Sequence, residues 1–590
     1  MAELETPTAV GHDTWWKSAV VYQVYPRSFS DSNADGMGDI PGITARLDYL
    51  VELGVDVVWL SPAYRSPQDD NGYDISDYQD IDPVFGSLAD LDALIAGLHE
   101  RGMKLVMDLV VNHTSDEHAW FEESRSATDN PKRDWYWWRA PRDGHVGGEP
   151  GAEPTNWEAA FSGSAWQWDE ASGEYYLHLF SPKQPDLNWE NPDVRRAVYA
   201  MMNWWVERGV DGFRMDVINL ISKPRELVDG AVAPGRTYSP AFLAVANGHR
   251  MHEFLAEMHA EVIQGRPLVT VGEMPGVNVE QARLYTDPAR RELDMVFTFE
   301  HVSLDNVAGG AKWDLQDLPL PVLKGNLAHW QTGLADVGWN SLYWDNHDQP
   351  RAVSRFGDDS AEHRVASAKT LATVLHLHKG TPYIYQGEEL GMTNAGLTMI
   401  SDYQDLESVN YHDDALSLGM EAEVVLKSLS VKSRDNARTP MQWDTSSHGG
   451  FTEGVPWLTV NPNYVEINAA AAVADPDSVF QHYRRLIALR HDHEVIREGT
   501  FALLLPEHEQ LWVLTRTLGP RTVTMIANAS SAPVDLPADL DLGLDDATLL
   551  LGTHASAGSS TLAPWESQVW LGTVASRKAN PTVVLGNSRL

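Results

Sequence analysis

The chain has 590 residues, 43% of them hydrophobic and 22% charged, a composition ordinary for a soluble globular protein and a length that implies two to four domains. Its formal net charge of -40 argues against nucleic acid and anionic membrane surfaces as partners, since both attract basic patches. There is no cysteine, which excludes disulfides, thiolate metal sites, iron–sulfur clusters and cysteine nucleophiles.

The opening stretch MAELETPTAVGHDTWW has neither the basic nor the apolar region of a signal peptide, and no run of about 18 apolar residues is present. A cytoplasmic protein without a membrane span is the expectation. The 22 tryptophans serve equally as core or as surfaces on which sugars stack, so their number alone decides nothing.

In chain order, AVVYQVYP (19–26) reads as a strand and ITARLDYLVELG (43–54) as a helix ending at a glycine. VDVVWLSP (55–62) is a second strand, LADLDALIAGLHERG (88–102) a second helix and KLVMDLVVNH (104–113) a third strand. Five further apolar runs follow at 209–217, 267–273, 293–300, 341–348 and 381–389, most of them separated by helical patterns. Near-continuous apolar strands in βα units imply a parallel sheet, and eight imply a closed (β/α)8 TIM barrel over 1–112 and 186–497. Residues 113–185 are rich in Trp, Gly, Pro and Asp and read as a subdomain inserted after strand three. The stretch 391–470 reads as a second, irregular insertion. From 498 to 575 short alternating runs predict a separate antiparallel β-sandwich domain, followed by an uninformative tail, 576–590.

Chemistry in such barrels sits at the C-terminal ends of the strands. There the sequence places Asn112 and His113 (strand three), Arg214 and Asp216 (strand four), Glu273 (strand five), and His347 and Asp348 (strand seven). A carboxylate cluster without thiolates fits metal-assisted hydrolysis or glycoside hydrolysis, the latter needing one carboxylate nucleophile and one protonated acid. In a strand, Arg214 and Asp216 share a face, and the guanidinium is expected to keep Asp216 ionised. Glu273 follows the apolar VTVG with no cation nearby in sequence and is expected to hold its proton.

DLVVNH (108–113), DGFRMDVIN (211–219), VGEMPG (271–276) and NHDQPR (346–351) resemble the four short motifs of the α-amylase family of glycoside hydrolases, in the same order. QPDLNW (184–189), GTPYIYQGEELGM (380–392) and SRDNARTPMQWD (433–444) extend the likeness over roughly residues 15–500. The resemblance implies Asp216 as nucleophile, Glu273 as acid/base and Asp348 as the carboxylate that favours the distorted ring. His113, Arg214 and His347 resemble the donors around the same glucose. Net retention follows, with the Asp216 and Glu273 carboxyls about 5–5.5 Å apart.

DDNGYDISDY (69–78) resembles the segment that closes the pocket in the exo-acting branch, with Asp70 binding the non-reducing end and Tyr73 stacking on the ring. An ordinary Asx-rich loop is the plainer reading. Arg434 resembles the partner of Asp70, with Arg438 an alternative, and Phe161, Phe180 and Gln184 fall where the family places wall residues. DSNADGMGD (31–39) offers Asp31, Asn33, Asp35 and Asp39 around Gly36, but Gly42 stands where an EF-hand needs glutamate. A similar loop in oligo-1,6-glucosidase-like members holds structural calcium, with the Met37 carbonyl as a ligand; magnesium could replace it, and no cofactor is expected in catalysis.

Val217 after the nucleophile, and VGEMPGV, resemble the oligo-1,6-glucosidase type and imply an exo-acting α-glucosidase that prefers α-1,6 links in isomaltose-like sugars. Alternatives are an α-1,4-glucosidase cleaving maltose or sucrose, and a glucosyl-transferring or isomerising enzyme. Sucrose isomerases carry an arginine-rich loop after strand six, where this chain reads FEHVSLDNVAGGAKWD (299–314), without arginine. A non-catalytic transporter heavy chain would need a membrane span and usually lacks the three acids. The expected partner is a small oligosaccharide, and the expected state a monomer or weak homo-oligomer.

Overall fold

The computed structural model describes residues 14–233, 236–307, 312–554 and 560–573. The tail 576–590 lies outside them.

All eight apolar runs form parallel strands: β1 (Val21–Val24), β2 (Val57–Leu60), β3 (Lys104–Leu109), β4 (Gly212–Met215), β5 (Val269–Glu273), β6 (Met295–Phe297), β7 (Ser341–Leu342) and β8 (Thr381–Tyr385). The sheet runs β6-β5-β4-β3-β2-β1-β8-β7, and the bridge between Val296 and Asn340 closes it into a barrel. Strands β1, β2, β4, β5 and β8 are buried at every position, which is why they read as unbroken apolar runs rather than alternating ones.

Each strand leads into a helix on the outside: α1 (Leu47–Leu53), α2 (Leu88–Glu100), α3 (Pro192–Arg208), α4 (Met251–Met258), α5 (Val279–Thr286), α6 (Leu320–Gly333), α7 (Arg364–Leu377) and α8 (Val479–Asp492). Their ends follow from local chemistry. Ser87 and Asp90 form a capping box at the start of α2. Gly209, at φ 115°, ends α3 in the left-handed conformation that a side chain resists. The helix expected over 43–54 is broken at Arg46 into Ile40–Ala45 and α1. Among the described residues no helix is long and apolar enough to cross a membrane.

The subdomain after β3 is a small three-stranded antiparallel sheet, Trp138–Arg139, Glu174–Leu177 and Trp166–Asp169, with a helix, Ala119–Ser126. Its core is aromatic: Phe121 stacks on Trp138 and meets Tyr136 and Tyr176 edge-on. Most of the tryptophan question is settled in favour of core. Trp59, Trp157, Trp189, Trp205, Trp344 and Trp512 are fully buried, and among the described residues no tryptophan lines the main cavity.

One expectation needs correcting. The stretch 391–470 is not irregular: it carries a helical pair, Leu406–Ser417 and Ala422–Lys432, whose own core joins Leu397, Tyr403, Ala415, Val425 and Leu429 to Trp313. The expected C-terminal antiparallel β domain is present, with two layers of unequal size. It is a five-stranded antiparallel sheet of β9 (Thr500–Leu504), β10 (Leu511–Leu518), β11 (Arg521–Asn528), β12 (Thr548–Gly552) and β13 (Ser567–Thr573), ordered β9-β10-β11-β13-β12. One face is covered by a two-stranded ribbon, Val534–Asp535 with Thr561–Leu562. The other face puts Trp512, Leu514, Val523, Met525 and Val569 into the same apolar core as the barrel helices.

Candidate active site

The cavity at the C-terminal ends of the strands has a volume of about 290 Å³. It is lined by Asp70, Tyr73, His113, Phe161, Phe180, Asp216, Val217, Glu273, Asp348 and Arg434, ten of the residues expected from sequence. The other three, Gln184, Arg214 and His347, are buried and bonded to the lining residues.

Arg214 is central. In register it sits opposite Asp108 of β3 and Val271 of β5. Its Nη1 donates to Asp108 Oδ1 and Asp216 Oδ1, each at 2.7 Å, and its Nη2 lies 2.7 Å from Glu273 Oε1. Glu273 therefore does have a cation beside it, brought across from the neighbouring strand. The two carboxyls, gripped by one guanidinium, are close enough for each to act on the other's ionisation. Val217 donates its backbone N–H to Glu273 Oε2 at 3.0 Å, with φ 34° and ψ 39°. A β-branched residue rarely takes that conformation, so the backbone is strained at the point where it meets the acid.

Burial pushes Glu273 up to about 8, opposed by Arg214 and reinforced by Asp216 and Asp348. Burial also pushes Asp216 up, to about 6, against Arg214 and with repulsion from Asp108. The expectation that Arg214 alone would hold Asp216 low is thus corrected: the guanidinium is shared among three carboxyls and cannot offset the full desolvation cost of one. The order survives, with Glu273 the more firmly protonated of the two. Asp348 lies well below the usual range. Burial works against this, and His347, Arg434 and Arg438 overcome it. Burial neutralises His347 itself, pulling it down to about 3, so we assign the effect chiefly to the two arginines.

The closed end is built from β2, β3 and the subdomain. Gln184 donates to Asp70 Oδ2 at 3.1 Å, and His113 donates Nε2–H to the Tyr73 carbonyl at 3.1 Å. His347 Nδ1 accepts from Gln23 at 2.8 Å, which leaves Nε2 for the Tyr73 hydroxyl (2.6 Å) and Asp348 Oδ2 (3.2 Å). Tyr73 stacks on His347 with ring centroids 5.2 Å apart. Arg434 does meet Asp70, at 3.5 Å, but binds Asp405 (2.9 Å) and Asp348 (3.2 Å) more closely. Arg438 bonds Asp348 at 2.9 Å and Asp405 at 2.6 Å, so both arginines serve.

Sequence reasoning missed Asp405, which reads as a helix cap and is one, accepting the Glu407 N–H. It also missed Asp108 as a partner of Arg214, although the DLVVNH motif contains it. On the open side lie Phe242, Pro275, Phe299, Lys312 and Arg355. Arg355 comes from the short helix Ala352–Phe356 after β7 and reaches the wall beside the 299–314 loop, which carries no arginine of its own. It is held there by Asp305 through two bonds (3.0 and 2.7 Å) and by Gln349 (2.6 Å).

Away from the cavity, the loop 31–39 turns around its own side chains. Asp31 Oδ1 accepts the Asn33 N–H, Asn33 Oδ1 the Asp35 N–H and Asp35 Oδ1 the Met37 N–H, at 2.8–2.9 Å. Asp31 Oδ2 takes Gly36 N–H, and Asp39 caps the next helix through Gly42 N–H. Gly36, at φ 92°, has the Val455 carbonyl where a Cβ would stand. Among the described residues no three His, Cys, Asp or Glu side chains gather as a metal cluster, so a cation here would depend on the Asn33 amide and Met37 carbonyl oxygens beside the carboxylates.

A closed parallel barrel with paired carboxylates and a third acid at the strand ends defines the class of barrel glycoside hydrolases. The model of the α-amylase catalytic domain matches residues 23–499, and the chain belongs to the α-amylase family of glycoside hydrolases. It is 55% identical over 563 residues to an oligo-1,6-glucosidase of Halalkalibacterium halodurans, covering 95% of this chain and 99% of that one. Among solved structures, a trehalose-6-phosphate hydrolase of Bacillus licheniformis superposes with a TM-score of 0.88 at 46% identity, over 94% and 99% of the two chains. The trehalulose synthase of Pseudomonas mesoacidophila gives 0.88 at 41% identity, over 94% and 99%.

Proposed function

We propose that the protein is an exo-acting, retaining α-glucosidase that removes terminal glucose from short oligosaccharides and prefers α-1,6 links. The observation that carries the mechanism is the sharing of Arg214 between Asp216 and Glu273, which holds one carboxyl ionised and the other protonated side by side. Asp216 attacks the anomeric carbon while Glu273 gives its proton to the leaving oxygen; the glycosidic bond breaks and a β-glucosyl ester forms. Glu273, now a carboxylate, takes a proton from water, the water oxygen bonds to the anomeric carbon, and the ester bond to Asp216 breaks. Both carboxyls are tied at 2.7 Å to the two Nη atoms of one guanidinium, which supports the close spacing of a retaining pair over the wider gap that an inverting mechanism needs for its water. Asp348 and Asp70, held by Arg434 and Arg438, accept hydroxyls of the bound glucose, with His113, His347 and Tyr73 around it.

The α-1,6 preference draws on the oligo-1,6-glucosidase relative and on Val217, whose side chain shares the cavity wall with Pro275 and Phe242. Isomerisation, as the name of the trehalulose synthase relative implies for that protein, is the second reading. It is disfavoured because Arg355 is fully engaged by Asp305 and Gln349. The test is kcat/KM on isomaltose, maltose, sucrose and trehalose. Isomaltose should lead, and Val217→Ala should shrink its lead over maltose by about 10-fold or more, the scale of one pocket side chain. Faster cleavage of maltose by the unaltered enzyme, or net conversion of sucrose to an isomer, overturns the reading.

We also propose that Asp31, Asn33, Asp35, Asp39 and the Met37 carbonyl hold a structural calcium, or magnesium, that ties the turn around Gly36 and takes no part in catalysis. The successive bonds from alternate side chains to the backbone support this.

A further inference from the structure

Behind the catalytic mouth lies a small enclosed cavity of about 10 Å³ between β7, β8 and α8, otherwise walled mainly by apolar groups, among them Trp344, Val353, Leu371 and Met392. Two acids line it, Asp345 and Glu388, and both are buried. Asp345 Oδ2 accepts the Ala352 N–H at 2.9 Å, and the Tyr483 hydroxyl donates to Glu388 Oε1. The remaining oxygens, Asp345 Oδ1 and Glu388 Oε2, receive no N–H or O–H from any other group among the described residues. Both unpaired oxygens belong to acids that wall this one small cavity, and each acid acts on the other's ionisation. Two carboxylates cannot satisfy each other, since each only accepts; a proton between them would pair both oxygens.

We propose that Asp345 and Glu388 share a single proton, and that this proton fastens the loop carrying His347 and Asp348 to the end of β8. Asp345 precedes Asp348 by three residues in that loop, and Glu388 follows β8 by three. Both are positioning residues, with no contact to substrate. Burial raises both acids; Asp345 raises Glu388 further, while Glu388 works against the rise of Asp345, so Glu388 is raised the more strongly. The charged and titratable groups facing the pair are Arg351 and Arg355, which favour ionisation of Asp345, and Glu389 and Tyr483; His376 packs edge-on against Tyr483. Arg351 does not bond either acid: it is spent on the carbonyls of Gln386, Asn436 and Thr439.

A carboxyl that binds its proton more tightly when folded stabilises the fold below its unfolded value and loses that contribution as pH rises through the folded one. The melting temperature should therefore fall between pH 5 and pH 9. Asp345→Asn and Glu388→Gln each replace the shared proton by an amide N–H and should flatten that fall by at least about 1–2 °C. Asp345→Ala, which removes the bridge and the cap on Ala352, should lower kcat on isomaltose more than it raises KM. Parallel melting profiles for the unaltered protein and both amide variants would overturn the shared proton. An unchanged kcat in Asp345→Ala would overturn its role in placing the loop. The melting measurement uses no substrate, so its failure is distinct from failure of the glucosidase reading, which would appear as no hydrolysis of isomaltose by the unaltered enzyme.

Discussion

Arg214 touches three carboxyls, so what it gives to one it withholds from the others. The i, i+2 spacing made its bond to Asp216 legible in the sequence, because strand geometry puts both side chains on one face. The bond to Glu273 was not legible: it crosses between β4 and β5, and the register that aligns them is a property of the closed sheet. Asp405 was hidden in the same way, since it meets Arg434 and Arg438 only through the fold of the 391–470 insertion that carries all three. Nor did the sequence carry any sign that Val217 is strained; the left-handed backbone appears only when its N–H must reach Glu273. The electrostatics make a prediction at this scale. Asp216 must be ionised to attack and Glu273 protonated to donate. Activity should be lost as pH falls through about 6 and as it rises through about 8, as apparent values of the coupled pair. A pH profile of kcat/KM on isomaltose that stays flat from pH 5 to pH 9 would contradict this.

Among the elements, the strands were the easiest to find and the connections the hardest. β7 occupies only two residues of an apolar run of eight, because from Tyr343 onward the chain leaves the sheet to carry His347 and Asp348. The helical pair in 391–470 escaped notice because its apolar stripes are short and face each other and Trp313, not the barrel. The 31–39 loop is the opposite case: its alternation of acidic and amide residues was visible, and the structure shows the same side chains folding the turn by accepting its backbone N–H groups. If the loop holds calcium, a melt in EDTA should fall below a melt in excess calcium. The difference is about 2.7 kcal/mol when calcium exceeds its Kd one hundredfold. Asp35→Ala should remove most of that difference. Equal melting temperatures in EDTA and calcium would contradict the proposal.

At the scale of the whole molecule, eight buried strands with helices between them fixed the barrel, since a parallel sheet needs cover on both faces. The C-terminal sheet was visible as alternation, but not its attachment: one face of β10, β11 and β13 completes the core outside the barrel helices, so the units share one interior. That arrangement leaves the C-terminal ends of the barrel strands free. There the subdomain closes the cavity on one side, and the insertion bearing Arg434 and Arg438 closes it on the other. The central claim is that glucose leaves this cavity after two displacements at one carbon, the first by Asp216. The most direct test is proton NMR of isomaltose hydrolysis over the first minutes, before mutarotation equilibrates the product. The glucose from the non-reducing end should appear first as the α-anomer, with the β-anomer growing later; release of the β-anomer first would contradict a retaining mechanism through Asp216.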